Sequence, residues 1–409
     1  MILLPSRLRE GPGVGIFLKL CDKGEAHMLD RIIHALETTL AAGNIPGAVA
    51  VVGSSAGTLA EVAVGTKGPN GPPLAQDDLF QIASMTKAIA SVAAMQLVEQ
   101  GRLSLDDDIG RVLPQLASPE VLEGFDEAGK PVTRSAAGPI TLRQLLTHTS
   151  GFGYEFMSAE LTQYRGHHPA APGTLASLNL PLLADPGTQW IYGISTDFVG
   201  LAVEAVSGMK LGDWLARHVT GPLGMKDTNF AFDDAVKARL TPLHARMPDG
   251  SLAPFPVHFG GGEQAEFQGA GGGLISTARD YLHFCRMILN RGQLNGARIL
   301  KPDTIAEMAR NQVRMPAGRL KTNLPGFSTD FDFFPTMDCG WGLGFLINPE
   351  PGPDGRAAGS LAWDGIANSY FWIDPENDIA AVILMQHLPF GEPAALTVVR
   401  AFERAVYGR

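Results

Sequence analysis

The chain reads as a mixed αβ (α+β) protein: an antiparallel sheet flanked by terminal helices, with a helical lobe inserted between the two halves of the sheet. Three observations predict this. A helix-period segment and two strand-like runs follow residue 27. Strand-like runs and a second helix-period segment close the chain. Between them lies a stretch frequent in Pro and Gly, with scattered helical spacing. The expected boundaries are a tail over 1–27, an αβ lobe from 28–80 and 269–409, and a helical lobe over 81–268.

Met28 to Ala42 places Leu29, Ile32, Ile33, Leu36 and Leu40 on one stripe, and Gly43 is a natural stop. Gly47–Val52 and Thr58–Val64 read as strands on either side of Gly53-Ser54-Ser55-Ala56-Gly57. A helix from Ser84 to Gly101 is rich in alanine (Ala88, Ala90, Ala93, Ala94), which predicts close packing on several sides. Shorter helices are expected at Thr141–Thr147, Ser195–Ser207 and Leu211–Val219. Thr277-x-x-Asp280 reads as a capping box for a helix carrying Tyr281, Phe284, Cys285 and Ile288. Trp341–Ile347, Ser369–Ile373 and Ile379–Met385 are strand-like. Asp374–Asp378 is a reverse turn, so the last two strands should pair antiparallel. A helix carrying Leu396, Val399, Phe402 and Val406 ends the pattern.

Hydrophobic residues make up 45% of the 409 and charged residues 18%, enough for a large core. Thirty-two basic residues against 42 acidic give a net charge of −10, with no basic patch, which argues against nucleic-acid and anionic-membrane partners. The three cysteines, Cys21, Cys285 and Cys339, are far apart and indicate neither a disulfide framework nor a zinc site. No apolar run approaches the ~20 residues of a membrane span. Met1–Pro5 is too short for the apolar region of a signal peptide, so a cytoplasmic location is the expectation.

The chemistry concentrates at Ser84-Met85-Thr86-Lys87. On a helix, residues three apart share a face, so Ser84 gains an amine in reach of its hydroxyl. A helix N-terminus also offers free N–H groups to an oxyanion. The rival is Ser55, because Gly53-x-Ser55-x-Gly57 fits a nucleophile elbow. That elbow needs a strand, a sharp turn and then a helix. Here a second strand-like run follows, so a hairpin turn is expected.

Further along come Leu145-Leu146-Thr147-His148-Thr149-Ser150-Gly151, Trp190-Ile191-Tyr192-Gly193-Ile194-Ser195 and Trp363-Asp364-Gly365 beside Ile366. Together with Ser84-x-x-Lys87 this ordered set resembles the serine β-lactamase and penicillin-binding-protein superfamily. Class C β-lactamases and family VIII carboxylesterases are the most similar branches, with related acyltransferases and amidases beside them. Gly101–Asp107, Gly221–Met225 and Gly271–Ala278 extend the resemblance over nearly the whole chain beyond residue 28. It implies that Ser84 is the nucleophile, Lys87 its partner, and Tyr192 the tyrosine of a Tyr-x-Asn motif. Trp363-Asp364-Gly365 takes the place of Lys-Thr-Gly, and the N–H groups of Ser84 and Ile366 form the oxyanion hole. Whether Lys87 or Tyr192 is the base stays open.

Two departures shape the expected substrate. Ile194 stands where the family's asparagine would bind an amide. Trp363 stands where a lysine would hold a carboxylate, with Asp364 adding negative charge beside it. Both favour neutral esters. Trp363, Asp364, Gly365 and Ile194 are therefore expected around the substrate, with Phe152 and Tyr154, followed by Phe156, at the acyl pocket. His148 is expected as a turn residue and His167-His168 as solvated. The resulting expectation is a carboxylesterase acting on a small-molecule ester through an acyl–Ser84 intermediate, without metal or organic cofactor. The alternatives are acyl transfer to a small-molecule alcohol, a β-lactamase or D-amino-acid amidase, and a penicillin-binding module that does not turn over. The oligomeric state is not legible.

Overall fold

The computed structural model describes residues 14–15, 23–260 and 265–409. Among them, the largest sheet has eight strands: β1 (Val14–Gly15), β2 (Gly47–Gly53), β3 (Thr58–Gly65), β4 (Gly340–Trp341), β5 (Leu346–Ile347), β6 (Leu361–Gly365), β7 (Ser369–Asp374) and β8 (Ile379–Leu384). Their order is β1-β3-β2-β8-β7-β6-β5-β4, and each adjacent pair is antiparallel. The strand that follows the first hairpin in space is thus the last in sequence. Val51 sits opposite Val382, and this pairing welds the two ends of the chain into one sheet.

Helices cover both faces. α1 (Lys23–Ala42) packs on α5 (Pro393–Tyr407) and on β3. α4 (Ala278–Leu289) packs on β8, β2 and β7. Strands sandwiched this way are apolar almost throughout, and every residue of β2 is buried. α2 (Thr86–Glu99) is buried from Thr86 to Leu97 and packs on α3 (Ser195–Ser207), as its alanine content requires. Burying side chains such as Ile89, Val92 and Leu97 contributes about 1.5–3 kcal/mol each.

Several expectations change. The tail expected over 1–27 lies mostly outside the described residues. Its described part holds β1 and the start of α1, which begins at Lys23 rather than Met28. Trp341–Ile347 is not one strand but two, β4 and β5, folded on each other. Gly344, at φ 100°, turns the chain between them. The middle segment, read as loops and helices, also holds a hairpin, Glu120–Phe125 with Pro131–Ser135. The capping box at Thr277 is half formed. Thr277 accepts from the Asp280 N–H (3.1 Å), but the Asp280 carboxylate turns to the Asp227 N–H (2.8 Å). No helix among the described residues is long and apolar enough to cross a membrane.

Candidate active site

Ser84 lies in a 3-10 turn, Ala83–Met85, that feeds directly into α2. The residue before it, Ala83, has φ 46°. A non-glycine residue in that region costs of order 1 kcal/mol and persists only where packing enforces it. The packing here is the end of β6. A Cβ on Gly365 would lie 2.4 Å from the Ile82 carbonyl, so only glycine lets β6 approach the serine turn this closely. Ile366, the next residue, then joins Ser84 in the wall of a cavity of about 560 Å³.

Lys87 stands one turn along α2 and is 1% exposed. Its Nζ donates to Ser84 Oγ (3.0 Å), Tyr154 Oη (3.0 Å) and the Gly271 carbonyl (2.6 Å). It also lies 4.8 Å from the centre of the Tyr192 ring. Burial disfavours the ammonium and lowers its pKa from 10.5 to about 7, against the upward pull of Asp197 and Asp364. A lysine in this state is half neutral near physiological pH and can take a proton.

Tyr192 is buried, with Ser84 in reach of its hydroxyl. Its oxygen accepts from Trp363 Nε1 at 2.9 Å. Burial and the nearby Asp364 push its pKa upward, so it stays a phenol at neutral pH. Tyr154 is pushed well above its usual value for the same first cause. Behind them His148, with φ 56°, packs at 4.7 Å from Tyr192 and 5.3 Å from Trp341. Burial, with Lys87 beside it, holds its imidazole well below the usual value, so it is a neutral part of an aromatic wall.

The fold therefore brings Ser84, Lys87, Tyr192 and Tyr154 together, and Ile194, Asp364 and Ile366 line the same cavity. Three other expected pocket residues fall elsewhere. Trp363 is buried behind Tyr192, with its ring edge-on to Trp341 at 4.5 Å. Gly365 sits beneath the serine turn. Phe152 is stacked on Phe198 at 4.8 Å and lines a separate cavity of about 530 Å³. Leu178 belongs to both cavities. Ser55 is far from this chemistry. It lies in the β2–β3 hairpin turn, where its hydroxyl donates to Asp378 Oδ2 at 2.8 Å.

Two features went unseen in the sequence. Arg165 reaches the cavity, but it is paired with Glu155 and its two Nη atoms each donate to a carbonyl, of His168 and of Ser177. Asp197 is buried in the cavity wall and accepts from the Gly271 N–H at 2.8 Å. An acid in the first turn of α3 looks like an ordinary helix-dipole partner. The one signal in the sequence is its place at the head of the apolar stretch that begins at Phe198.

The chain is similar to known proteins over nearly its whole length. The Beta-lactamase family model matches residues 30–405. The chain is 33% identical to monacolin J acid methylbutanoyltransferase of Aspergillus terreus over 83% of its own length and 84% of that protein. It is 31% identical to lovastatin esterase of Penicillium rubens, over 82% of this chain and 86% of that one. Among solved structures it is similar to the LovD6 mutant of simvastatin synthase from Aspergillus terreus. That match has a TM-score of 0.81 and 29% identity, over 94% of this chain and 97% of the other.

Proposed function

The chain belongs to the beta-lactamase family, and from that premise we propose that it is a serine carboxylesterase that takes the acyl group of a neutral ester onto Ser84 and passes it to water. The observation that carries this reading is the buried Lys87 amine, with its pKa near 7 and its nitrogen 3.0 Å from Ser84 Oγ.

When Lys87 is neutral, its two N–H groups suffice for Gly271 O and Tyr154 Oη, which leaves the lone pair for the Ser84 proton. Ser84 Oγ then attacks the ester carbonyl. The N–H groups of Ser84 and Ile366 receive the developing oxyanion, each worth about 10²–10³ in rate. Collapse breaks the bond to the leaving alcohol. The proton taken by Lys87 returns to that alkoxide by way of the Tyr192 hydroxyl. Water repeats the sequence on acyl–Ser84 and releases the acid. Lys87 is the base in this scheme, because burial keeps Tyr192 protonated. Ile194 offers no amide partner, and the indole of Trp363 is engaged with Tyr192, so the cavity favours a neutral ester over a lactam carboxylate.

A second reading, acyl transfer to a small-molecule alcohol, has its own support. The transferase similarity covers most of the chain, and a cavity of about 560 Å³ exceeds the needs of a short acyl group. One experiment separates the readings. The protein is incubated with p-nitrophenyl butyrate, with and without added alcohols, and with nitrocefin. Ester turnover and a butyryl mass on the Ser84 peptide are expected. New ester formed at the expense of acid would favour transfer, a lactam burst without turnover would favour a binding module, and an adduct on any other residue would overturn the assignment.

A further inference from the structure

Asp197 lines the cavity, yet the steps above do not use it. Its backbone is anchored in the first turn of α3, where its N–H donates to the Ile194 carbonyl at 2.9 Å. Its Oδ1 accepts from Gly271 N–H at 2.8 Å, and the carbonyl of that same residue accepts from Lys87 Nζ at 2.6 Å. Gly271 belongs to a tight turn in which Gly272 and Gly273 both donate to the Gly269 carbonyl. A Cβ on Gly271 would lie 2.7 Å from Asp197 Oδ2, so the contact is made against a bare backbone. The lysine's partner carbonyl is thus held by a carboxyl from a different helix, 74 positions away in the chain.

We infer that Asp197 is a positioning residue for Lys87: it fixes the Gly269–Gly273 turn so that the Gly271 carbonyl takes one amine hydrogen and turns the rest of the nitrogen toward Ser84. The inference rests on Lys87 acting as the base. A flexible amine with two or three possible partners has many orientations. Fixing one acceptor removes most of them before substrate arrives.

The charge acts in the same direction as the geometry. Tyr154, Tyr192, His148, Asp364 and Asp197 all face Lys87. Burial keeps both tyrosines and the histidine neutral at physiological pH and pushes Asp364 well above the carboxylate range. Asp197 is also raised by burial, but Lys87 and the Gly271 N–H pull it back toward ionisation. Asp197, like Asp364, favours the ammonium that Lys87 becomes once it has taken the Ser84 proton, and Asp197 alone of the two is also tied to the Gly271 turn.

The test compares Asp197→Asn with Asp197→Ala, assayed with p-nitrophenyl butyrate across pH, with melting curves for both. Asparagine can still accept from Gly271 but carries no charge. D197N should lose less than about fivefold in kcat, and its acidic limb in kcat/KM should move down by about half a pH unit or more, because Lys87 loses a neighbouring anion. D197A should lose about tenfold or more in kcat, with KM changed less than about threefold. Equal losses in both variants together with an unmoved limb would overturn the inference. If D197A fails to fold, the limb of D197N decides alone. Failure here leaves acylation of Ser84 in the unsubstituted protein intact, whereas failure of the base reading removes the limb from that protein as well.

Discussion

Two serines in this chain sit on turns between regular elements, and both fit a short nucleophile pattern. Ser55 occupies an exposed hairpin turn with its hydroxyl on Asp378. Ser84 occupies a strained turn at a cavity with its oxygen on a buried lysine. The partner makes the difference. A carboxylate at the surface accepts the serine hydrogen and holds it in place. An amine taken out of water is half deprotonated near pH 7, and its neutral form can remove a proton. Reactivity here comes from what surrounds the lysine more than from the spacing of the letters.

Four substitutions separate the two serines. Ser84→Ala should reduce ester turnover by about 10³-fold or more and abolish the acyl adduct seen by mass spectrometry. Retained turnover would move the nucleophile elsewhere. Lys87→Met should cost about 10²–10⁴ in kcat/KM. The unsubstituted enzyme should show an acidic limb near pH 7, with rate rising as the amine deprotonates, and the variant should lack it. Stability gives an independent readout. Between about pH 7 and 10.5 the unfolded chain keeps the Lys87 proton and the folded one does not. The unfolded state then binds more protons, so stability rises with pH over that window, and Lys87→Met should flatten the rise in a melting-temperature series.

The remaining two substitutions have smaller effects. Tyr192→Phe removes the hydroxyl and leaves the ring against Trp363; about a tenfold loss in kcat is expected by steady-state assay. Normal kcat in that variant would remove Tyr192 from the proton path. Ser55→Ala should change activity by less than about twofold and stability by about 1 kcal/mol or less, since it deletes one exposed hydrogen bond. A large activity loss there would reverse the assignment of the two serines.

The parts of the molecule legible in the sequence are those that local chemistry dictates. The β2–β3 hairpin, the extent of α3 and the β7–β8 pair follow from apolar period and turn residues. Thr141 caps its helix through a full capping box with Gln144, as a threonine there should. The 120–135 hairpin is hidden in the sequence because its alternation is broken: Val121 and Leu122 are both buried, the register shifts between Leu122 and Gly124, and Val132 is exposed. Phe152 was misplaced for a different reason. Phe152 and Tyr154 are two apart on a loop, and sequence does not say which way each side chain turns. One packs on Phe198 and the other reaches Lys87. Asp197 and Gly271 were invisible as a pair, because their contact exists only once α3 and the glycine turn have met.

Lys87 takes its partners from five stretches of chain, at Ser84, Tyr154, Tyr192–Asp197, Gly271 and the end of β6, spread over nearly 300 positions. On a nascent or unravelled polypeptide the same side chain is an ordinary hydrated ammonium, with its proton held to 10.5, and the serine beside it is inert. Chemical potency is thus a property of the finished assembly alone. A partly folded molecule carries no loose nucleophile to acylate at random, and appearance of ester turnover during refolding would report arrival of the last of those five stretches.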